Sequence, residues 1–306
     1  MRHALVILNP GSRAGRGRRR WLIWRDALAG SDLRCTVAES RSIEHARDLA
    51  AGAAADLVVA VGGDGTINAV LNGILAHGPE SLPLAVLYAG TSPDFCRFHG
   101  IPTDVAGALR NLLTGTIRQR DVGRVVYRNA AGAAETAFFG CSVNLGIGAA
   151  VARRANRWRP RLGDTLGTGL AVLRSLAGNH ATLSLTLDGD AALPVPRCCH
   201  LCIAKSPWIA SGLRFTGDLD PADGRLAVLA VADRSLFGLL RLLPAFYTGT
   251  VSTRPGVLFR FARSVSVEGP GAVEFDGDPR GSLPLRAEIQ PGALRLVVPE
   301  IGRAHV

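Results

Sequence analysis

DLVVAVGGDGTINAVLNGIL, residues 56–75, decides the fold of this 306-residue chain. Leu57 to Val61 is a short, continuous apolar run that stops at Gly62, the pattern of a parallel strand buried on both faces. Beyond the glycines, Ile67, Val70, Leu71, Ile74 and Leu75 recur at i, i+3, i+4, i+7 and i+8, which is one apolar stripe of an amphipathic helix. The order is strand, tight loop, helix. Gly62, Gly63 and Gly65 have no Cβ, so the backbone can turn sharply and approach a ligand, and the first N–H groups of the helix offer an anion site. Phosphate is the natural guest. Thr66 would cap the helix or donate its hydroxyl to a phosphate, and Asp64 would serve a divalent cation accompanying a nucleotide. On spacing alone the loop also reads as a plain tight connection.

The flanking sequence repeats the pattern. A strand at Leu5 to Leu8 leads through Asn9-Pro10-Gly11-Ser12-Arg13-Ala14-Gly15 into a helix carrying Trp21, Trp24 and Leu28. A strand near Cys35 to Ala38 and a helix from Ile43 to about Ala51 follow. Leu84 to Tyr88 is another buried strand, ending in a loop with Gly90, Thr91, Pro93 and Asp94. Thr103 reads as the N-cap of a helix with Val105, Leu109, Leu112 and Leu113 on one face. This βα alternation predicts a parallel sheet whose Gly- and Pro-bearing loops gather at the carboxyl ends of the strands. Arg13, Arg16, Arg18, Arg19 and Arg20 lie in or after the first loop, placed to meet phosphates or lipid headgroups; the last three read equally as a solvated charge run.

After Asp121 the chain turns β-rich. Strands are expected at Gly123 to Tyr127, Thr136 to Asn144, Ala181 to Leu187, His200 to Ala204, Leu226 to Val231, Val257 to Phe261, Ser264 to Glu268 and Ala272 to Phe275. Leu285 to Ile289 and Leu294 to Val298 follow, joined by Pro291-Gly292. Such a run argues for an antiparallel sandwich or barrel, interrupted by helices near Ala149 to Trp158, Leu166 to Leu176 and Ser235 to Tyr247. The expected domains are residues 1–121 and 122–306, with the last few residues free to return to the first.

A hydrophobic fraction of 47% and a charged fraction of 20% exclude a largely disordered chain. No segment is long and apolar enough for a transmembrane helix, and the six cysteines show no disulfide framework, so a reducing cytoplasm is expected. In Cys198-Cys199-His200-Leu201-Cys202 an extended strand would put Cys198, His200 and Cys202 on one face; buried strand residues are the preferred reading over zinc. The net charge of +10 favours acidic partners, and RRANRWRPRLG (153–163) mixes arginines with Trp158 as a segment that docks on anionic lipid or ends a solvated helix. No aromatic-interleaved motif points to nucleic acid.

The loops in order resemble the diacylglycerol kinase catalytic-domain family of lipid kinases, which includes soluble bacterial diacylglycerol kinases and sphingosine and ceramide kinases. The marks are Asn9-Pro10 with Gly15, Gly62-Gly63-Asp64-Gly65-Thr66, Gly90-Thr91 with Asp94-Phe95 and Arg97, Asp121, and Asn144 with Gly146 and Gly148. Asp223-Gly224 and Asp276-Gly277-Asp278-Pro279, ahead of PGALRLVVP, complete the set. GGDGT alone is shared with NAD kinases and phosphofructokinases; the ordered set is far more specific and spans nearly the whole chain. The resemblance implies an NAD kinase-like α/β nucleotide-binding domain, a β-sandwich-like domain, and an active site in the cleft between them. It implies transfer of the γ-phosphoryl group of ATP, with Mg2+, to a lipid hydroxyl; the charge adds an anionic membrane surface as the partner, and a homodimer is open.

Carried over residue by residue, Asn9, Gly62, Gly63, Asp64, Gly65, Thr66, Gly90, Thr91 and Asp94 would hold the nucleotide. Asp64, Asp94 and Asp121 would belong to a water-bridged magnesium network, and Asp220 and Asp223 would flank a structural metal. Asp276 would be the general base, with Asp278 beside it; a hairpin turn is the plain reading of Asp276-Gly277. The chain departs from the family pattern at Pro93 and Ala69, where asparagine and glutamate are usual. It departs again at Asp278, usually glutamate, and at Lys205-Ser206, where an asparagine is expected. The remaining alternatives are an NAD kinase-type enzyme with a soluble substrate and a lipid- or nucleotide-binding protein without turnover.

Overall fold

Continuous apolar strands need cover on both faces, and the first part of the chain supplies it with helices. The structure, a computed structural model, describes residues 2–76, 82–146, 181–209, 213–232, 234–276 and 278–300. The chain divides into one compact unit of residues 1–122 with 291–306 and another of residues 123–290.

In the first unit β1 (Arg2–Leu8), α1 (Ser12–Leu28), β2 (Leu33–Glu39), α2 (Ile43–Ala51), β3 (Leu57–Gly62), α3 (Asp64–Leu75), β4 (Leu84–Tyr88), α4 (Asp94–His99) and α5 (Val105–Thr114) follow one another. The strands pair in parallel in the order β2-β1-β3-β4, with Leu8 opposite Val61 and Gly62 opposite Tyr88, so the carboxyl ends of β1, β3 and β4 are level. Trp24, fully buried, anchors α1 by donating its indole N–H to the Val105 carbonyl (2.9 Å).

Helix starts differ from the sequence reading in three places. α5 is capped by Asp104, not Thr103: the Asp104 carboxylate accepts the Gly107 N–H at 2.7 Å, one turn in. α1 begins at Ser12, so the first loop is only Asn9 to Gly11 and Arg13 to Arg20 ride on the helix. α3 begins at Asp64 with Gly63 as a bare N-cap, so Thr66 is not a capping residue. The short α4 was not anticipated at all; it ends on Gly100 at φ +66, a left-handed conformation suited to glycine.

Then come β5 (Thr116–Asn129), β6 (Ala134–Phe139), β7 (Ser142–Gly146), β8 (Ala181–Leu187), β9 (Leu193–Ala204), β10 (Trp208–Ile209), β11 (Leu213–Arg214), β12 (Leu226–Ala232), α6 (Leu236–Thr248), β13 (Val257–Ala262), β14 (Ser264–Glu268), β15 (Ala272–Phe275) and β16 (Asp278–Val298). Within the second unit the antiparallel pairs β9-β7, β7-β15, β15-β16, β16-β14, β14-β8 and β8-β9 close into a ring. Closure leaves none of these six strands with an unpaired edge of the kind that invites aggregation. The ring works because β9 and β16 are long enough to pair with one neighbour along their first half and another along their second. Val143, Leu145, Leu201, Ile203, Val273 and Phe275 fill it as cross-strand rows, with Tyr127 edge-on to Phe275 at 4.8 Å. β12 and β13 extend the sheet beyond β9, where α6 packs Leu239, Leu242 and Ala245 into a further apolar layer.

The strand expected from Thr136 to Asn144 is two strands, broken at Gly140-Cys141. The two expected around Pro291-Gly292 are one, β16, with Gly292 at φ +63 inside it; its last residues return to the first unit, where Leu296 pairs in parallel with Leu84. The cysteine cluster lies on β9, but a register shift beside Val231 breaks the alternation. Cys198 joins the interior of the ring while Cys199 and Cys202 face the α6 side, so Cys198, His200 and Cys202 do not share a face and the cysteines are buried strand residues, the preferred reading. Burial pushes the His200 imidazole down to about 4, and as a neutral ring it donates its Nδ1–H to the Leu145 carbonyl at 3.2 Å. Gly148, the helices expected near residues 149–158 and 166–176, and the 153–163 arginine segment lie outside the described residues.

Candidate active site

The glycine-loop surface of the first unit is built where β1, β3 and β4 end together. The Ala89 N–H donates to the Gly62 carbonyl (2.7 Å), and the Ser12 hydroxyl donates to the Ala89 carbonyl (2.8 Å). Asn9 donates its side-chain amide to the Thr66 hydroxyl (3.0 Å). These bonds lash the three loops into one surface, and they account for Asn9 and Thr66 as scaffolding residues. Arg13 reaches over the same surface to the Gly90 carbonyl (3.5 Å).

The glycines divide into two kinds. A side chain on Gly62 would strike Thr66, and one on Gly90 would come within 2.5 Å of the Gly63 Cα and 2.6 Å of the Tyr88 hydroxyl. Gly63 and Gly90 let two loops touch backbone to backbone, and Gly62 makes room for the Thr66 side chain. Gly65 is different: a Cβ there would meet only Ile43 Cδ1, at 3.9 Å, an ordinary contact. Protein packing gives no reason for a glycine at 65.

Asp64 and Asp94 open the first turns of α3 and α4, where the helix dipole favours negative charge. The Asp94 N–H points to Asp64 Oδ2 at 3.4 Å, the Ser92 hydroxyl donates to Asp94 Oδ2 (2.9 Å), and Arg97 pairs with Asp94 Oδ1 (3.3 Å). Both carboxylates surround the buried Tyr88: burial first, then the charges of Asp64, Cys96 and Asp94, drive its phenol far above the usual range. Sequence reasoning missed this tyrosine, which reads as one more apolar strand residue. Thr91 is exposed beside Gly90. Asp121 is buried and accepts the Gly292 N–H at 2.9 Å, pinning β5 to the kink of β16. Among the described residues no three His, Cys, Asp or Glu side chains form a metal-ligand set, so Asp64, Asp94 and Asp121 do not converge as direct ligands of one ion. Of the early arginines, Arg20 turns inward to the Tyr88 and Thr103 carbonyls (2.7 and 3.1 Å), which commits it to the scaffold, while Arg18 makes an exposed pair with Glu39 (3.5 Å).

In the second unit Asp276 occupies the turn between β15 and β16, at φ +47. The hairpin is real, but it is also a carboxylate mount. Oδ1 accepts the N–H groups of Cys141 (3.0 Å) and Ser142 (2.7 Å), and Oδ2 accepts that of Gly140 (2.9 Å). The break between β6 and β7 exists to present those three donors. A carboxylate has about four lone-pair positions, so three fixed bonds hold its plane and direction firmly. Gly277 and the side chain of Asp278 lie outside what is described. Glu274, also missed, is buried in a cross-strand row with Asn144 and Cys202; burial and then its charge raise the Cys202 thiol. A charged residue inside the otherwise apolar Ala272–Phe275 was the signal for it.

The expected metal at Asp220 and Asp223 is replaced by a side chain. Lys205, the only lysine and fully buried, brings its ammonium to Asp223 Oδ1 (2.5 Å), the Asp220 carbonyl (2.8 Å) and the Arg225 carbonyl (3.4 Å). The cation is covalently attached. Burial acts to raise the Asp223 carboxyl, but the Lys205 hydrogen bond, the Asp220 N–H and the Lys205 charge outweigh it and hold the carboxyl below its ordinary value. Ala69, another of the departures, is buried in α3.

Comparison with known proteins gives the family and the fold. Residues 3–125 match the model of the diacylglycerol kinase catalytic domain, and residues 141–298 match that of the YegS C-terminal NAD kinase beta sandwich-like domain. A diacylglycerol kinase of Mycobacterium tuberculosis is 30% identical over 263 residues, covering 84% of this chain and 82% of the relative. One from Staphylococcus aureus is 25% identical over 75% of this chain and 70% of its own length. The fold matches a crystal structure of a diacylglycerol kinase from Bacillus anthracis (TM-score 0.68, 18% identity, covering 100% and 98% of the two chains). It matches yeast NADH kinase less closely (TM-score 0.54, 12% identity, covering 98% and 84%). With an α/β unit carrying the glycine loop, a closed β unit carrying the mounted aspartate, and a family match across both, the chain belongs to the diacylglycerol kinase family of phosphotransferases.

Proposed function

We infer that the chain transfers the γ-phosphoryl group of ATP to the hydroxyl of a diacylglycerol-like lipid. ATP is the donor that a kinase of this family uses. The observation that carries the reading is Gly65: it lies in the first turn of α3, where amide donors extend beyond the helix's own ladder, and nothing in the protein demands that it lack a side chain. Phosphate oxygens approaching that turn do demand it. Gly90, Thr91 and Arg13 border the same surface and would contact the rest of the polyphosphate.

Asp64 and Asp94, two hard oxygen donors beside one another, suit Mg2+, which favours one or two carboxylates with water and phosphate. When bound, the ion would neutralise charge on the phosphate oxygens. Asp276 takes the proton of the lipid hydroxyl; its three backbone donors hold the carboxylate in one orientation, which in-line transfer requires. The working place is an anionic membrane surface, favoured by the net charge of +10 and by an acceptor that resides in lipid.

The test is transfer of label from γ-labelled ATP, with magnesium, to diacylglycerol, sphingosine and phosphatidylglycerol in mixed micelles, and to NAD without detergent. Labelled diacylglycerol is expected, reduced by roughly 10²-fold or more in Asp276→Asn, the scale of a lost general base. Nucleotide binding should be retained, with a melting temperature lowered by a few degrees because the new amide nitrogen faces a backbone N–H it cannot accept. Label on NAD, or tight nucleotide binding with no labelled acceptor, would sink the proposal.

A further inference from the structure

Helix α6 carries large apolar side chains on its outward face as well as on its buried one. Leu239, Leu242 and Ala245 are buried against the strands, as a surface helix requires. The opposite face carries Phe237 (63% exposed), Leu240 (37%), Pro244 and Tyr247 (64%), spaced at i, i+3, i+7 and i+10 along one outward stripe. Scattered exposed apolar residues are ordinary; two aromatic rings and a leucine aligned on one helix are a patch with a purpose.

Its charge names the occupant. From Arg234 to Gly256, the helix with the turn that follows it, there is no acidic residue, while Arg234, Arg241 and Arg254 supply three cations. Arg241 lies within the stripe, its guanidinium 4.5 Å from the centre of the Phe237 ring. Stacked there, it covers apolar surface while keeping its charge outward, the arrangement that suits a lipid headgroup layer. No helix among the described residues is long and apolar enough to span a bilayer, and α6, at 13 residues with one face already committed to the core, is suited to lie in the interface.

We propose that the outward face of α6 is a docking surface for an anionic bilayer, with Phe237, Leu240 and Tyr247 entering the acyl boundary and Arg241 engaging headgroup phosphates. This deepens the lipid-kinase reading and rests on it for its purpose, but the binding is measurable without any turnover. The surface differs from the 153–163 arginine segment, to which the sequence pointed first.

The test is co-sedimentation of the full chain with phosphatidylglycerol-containing vesicles and with pure phosphatidylcholine vesicles. It compares wild type, a triple variant (Phe237→Ser, Leu240→Ser, Tyr247→Ser) and Arg241→Glu. Wild type should bind the anionic vesicles in preference. The triple variant should bind about 30-fold or more weakly, since each side chain loses its transfer into hydrocarbon, and Arg241→Glu about fivefold or more weakly. Both variants should keep wild-type nucleotide binding and transfer to a water-dispersed short-chain diacylglycerol. Vesicle binding of the triple variant equal to wild type would overturn the proposal. So would a wild-type dimer that becomes monomeric in the triple variant with vesicle binding unchanged, which would make a second copy the occupant. Failure of transfer with vesicle binding intact in wild type and lost in the variant would instead count against the kinase reading alone.

Discussion

Lys205 illustrates how one residue can take over a role that looks like a metal's. Its buried ammonium is held by one carboxylate and two carbonyls, and Asp223 in turn accepts the Asp220 N–H and pairs with Arg225 (3.2 Å). Removing one partner of a buried ion pair leaves the other uncompensated, at a cost of roughly 3–5 kcal/mol. Lys205→Met, similar in length but uncharged, should lose about that much in denaturant unfolding. The sign of the pH dependence is fixed by Asp223. Its folded carboxyl lies below the unfolded value of about 3.9, so the stability it contributes is full above that value and is lost as pH falls through the folded one. The gap between wild type and Lys205→Met should therefore narrow from pH 7 to pH 3; a gap that stays constant would show that the ion pair is not its source. The lysine was visible in the sequence only as a departure from a family asparagine. Which oxygens it meets depends on residues 15 to 20 positions away.

At the scale of elements, the candidate site rests on the contact between the loops after β3 and β4. Two backbones approach closely only where neither carries a Cβ, which explains Gly63 and Gly90 together. Gly90→Ala must push the loops apart against the Ala89–Gly62 hydrogen bond, and we expect a loss of about 1–3 kcal/mol, the usual range for overpacking. Gly65→Ala has room, so its melting temperature should stay close to wild type while ATP affinity falls at least tenfold. Calorimetry and nucleotide titration on the two variants separate the roles. An unchanged ATP affinity in Gly65→Ala would remove the main support for the phosphate site. The strand-loop-helix order was legible from apolar periodicity alone. The one-residue connection, the added helix α4 and the break between β6 and β7 were not, because each is set by partners distant in sequence.

At the scale of the molecule, the first unit is completed by the end of the chain. β16 brings Leu294, Leu296, Val297 and Val298, all buried, to the sheet beside β4, and the Asn111 side chain donates to the Val297 carbonyl (3.3 Å). Burial of each such side chain contributes roughly 1.5–3 kcal/mol. Four of them match the entire 5–15 kcal/mol stability of a typical domain. A chain ending at Gln290 should therefore lose ATP binding and hydrogen-exchange protection along β4, whose edge it uncovers. Protection and binding equal to the full-length protein would show that the returning strand is dispensable.

By itself the sequence determined the parallel α/β order of the first unit and the β-rich character of the second. It also marked the loops bearing Asp64, Asp94 and Asp276, because apolar period and turn chemistry are written within windows of a few residues. Tertiary structure alone decided what those residues touch. It mounted Asp276 on three amides from a strand break over 130 positions earlier and put Lys205 where a metal was expected. It closed the β unit through the two long strands and left an apolar, basic face of α6 turned outward. Hydrogen bonds, ion pairs and burial depend on which distant segments the fold brings together, and no local pattern encodes that.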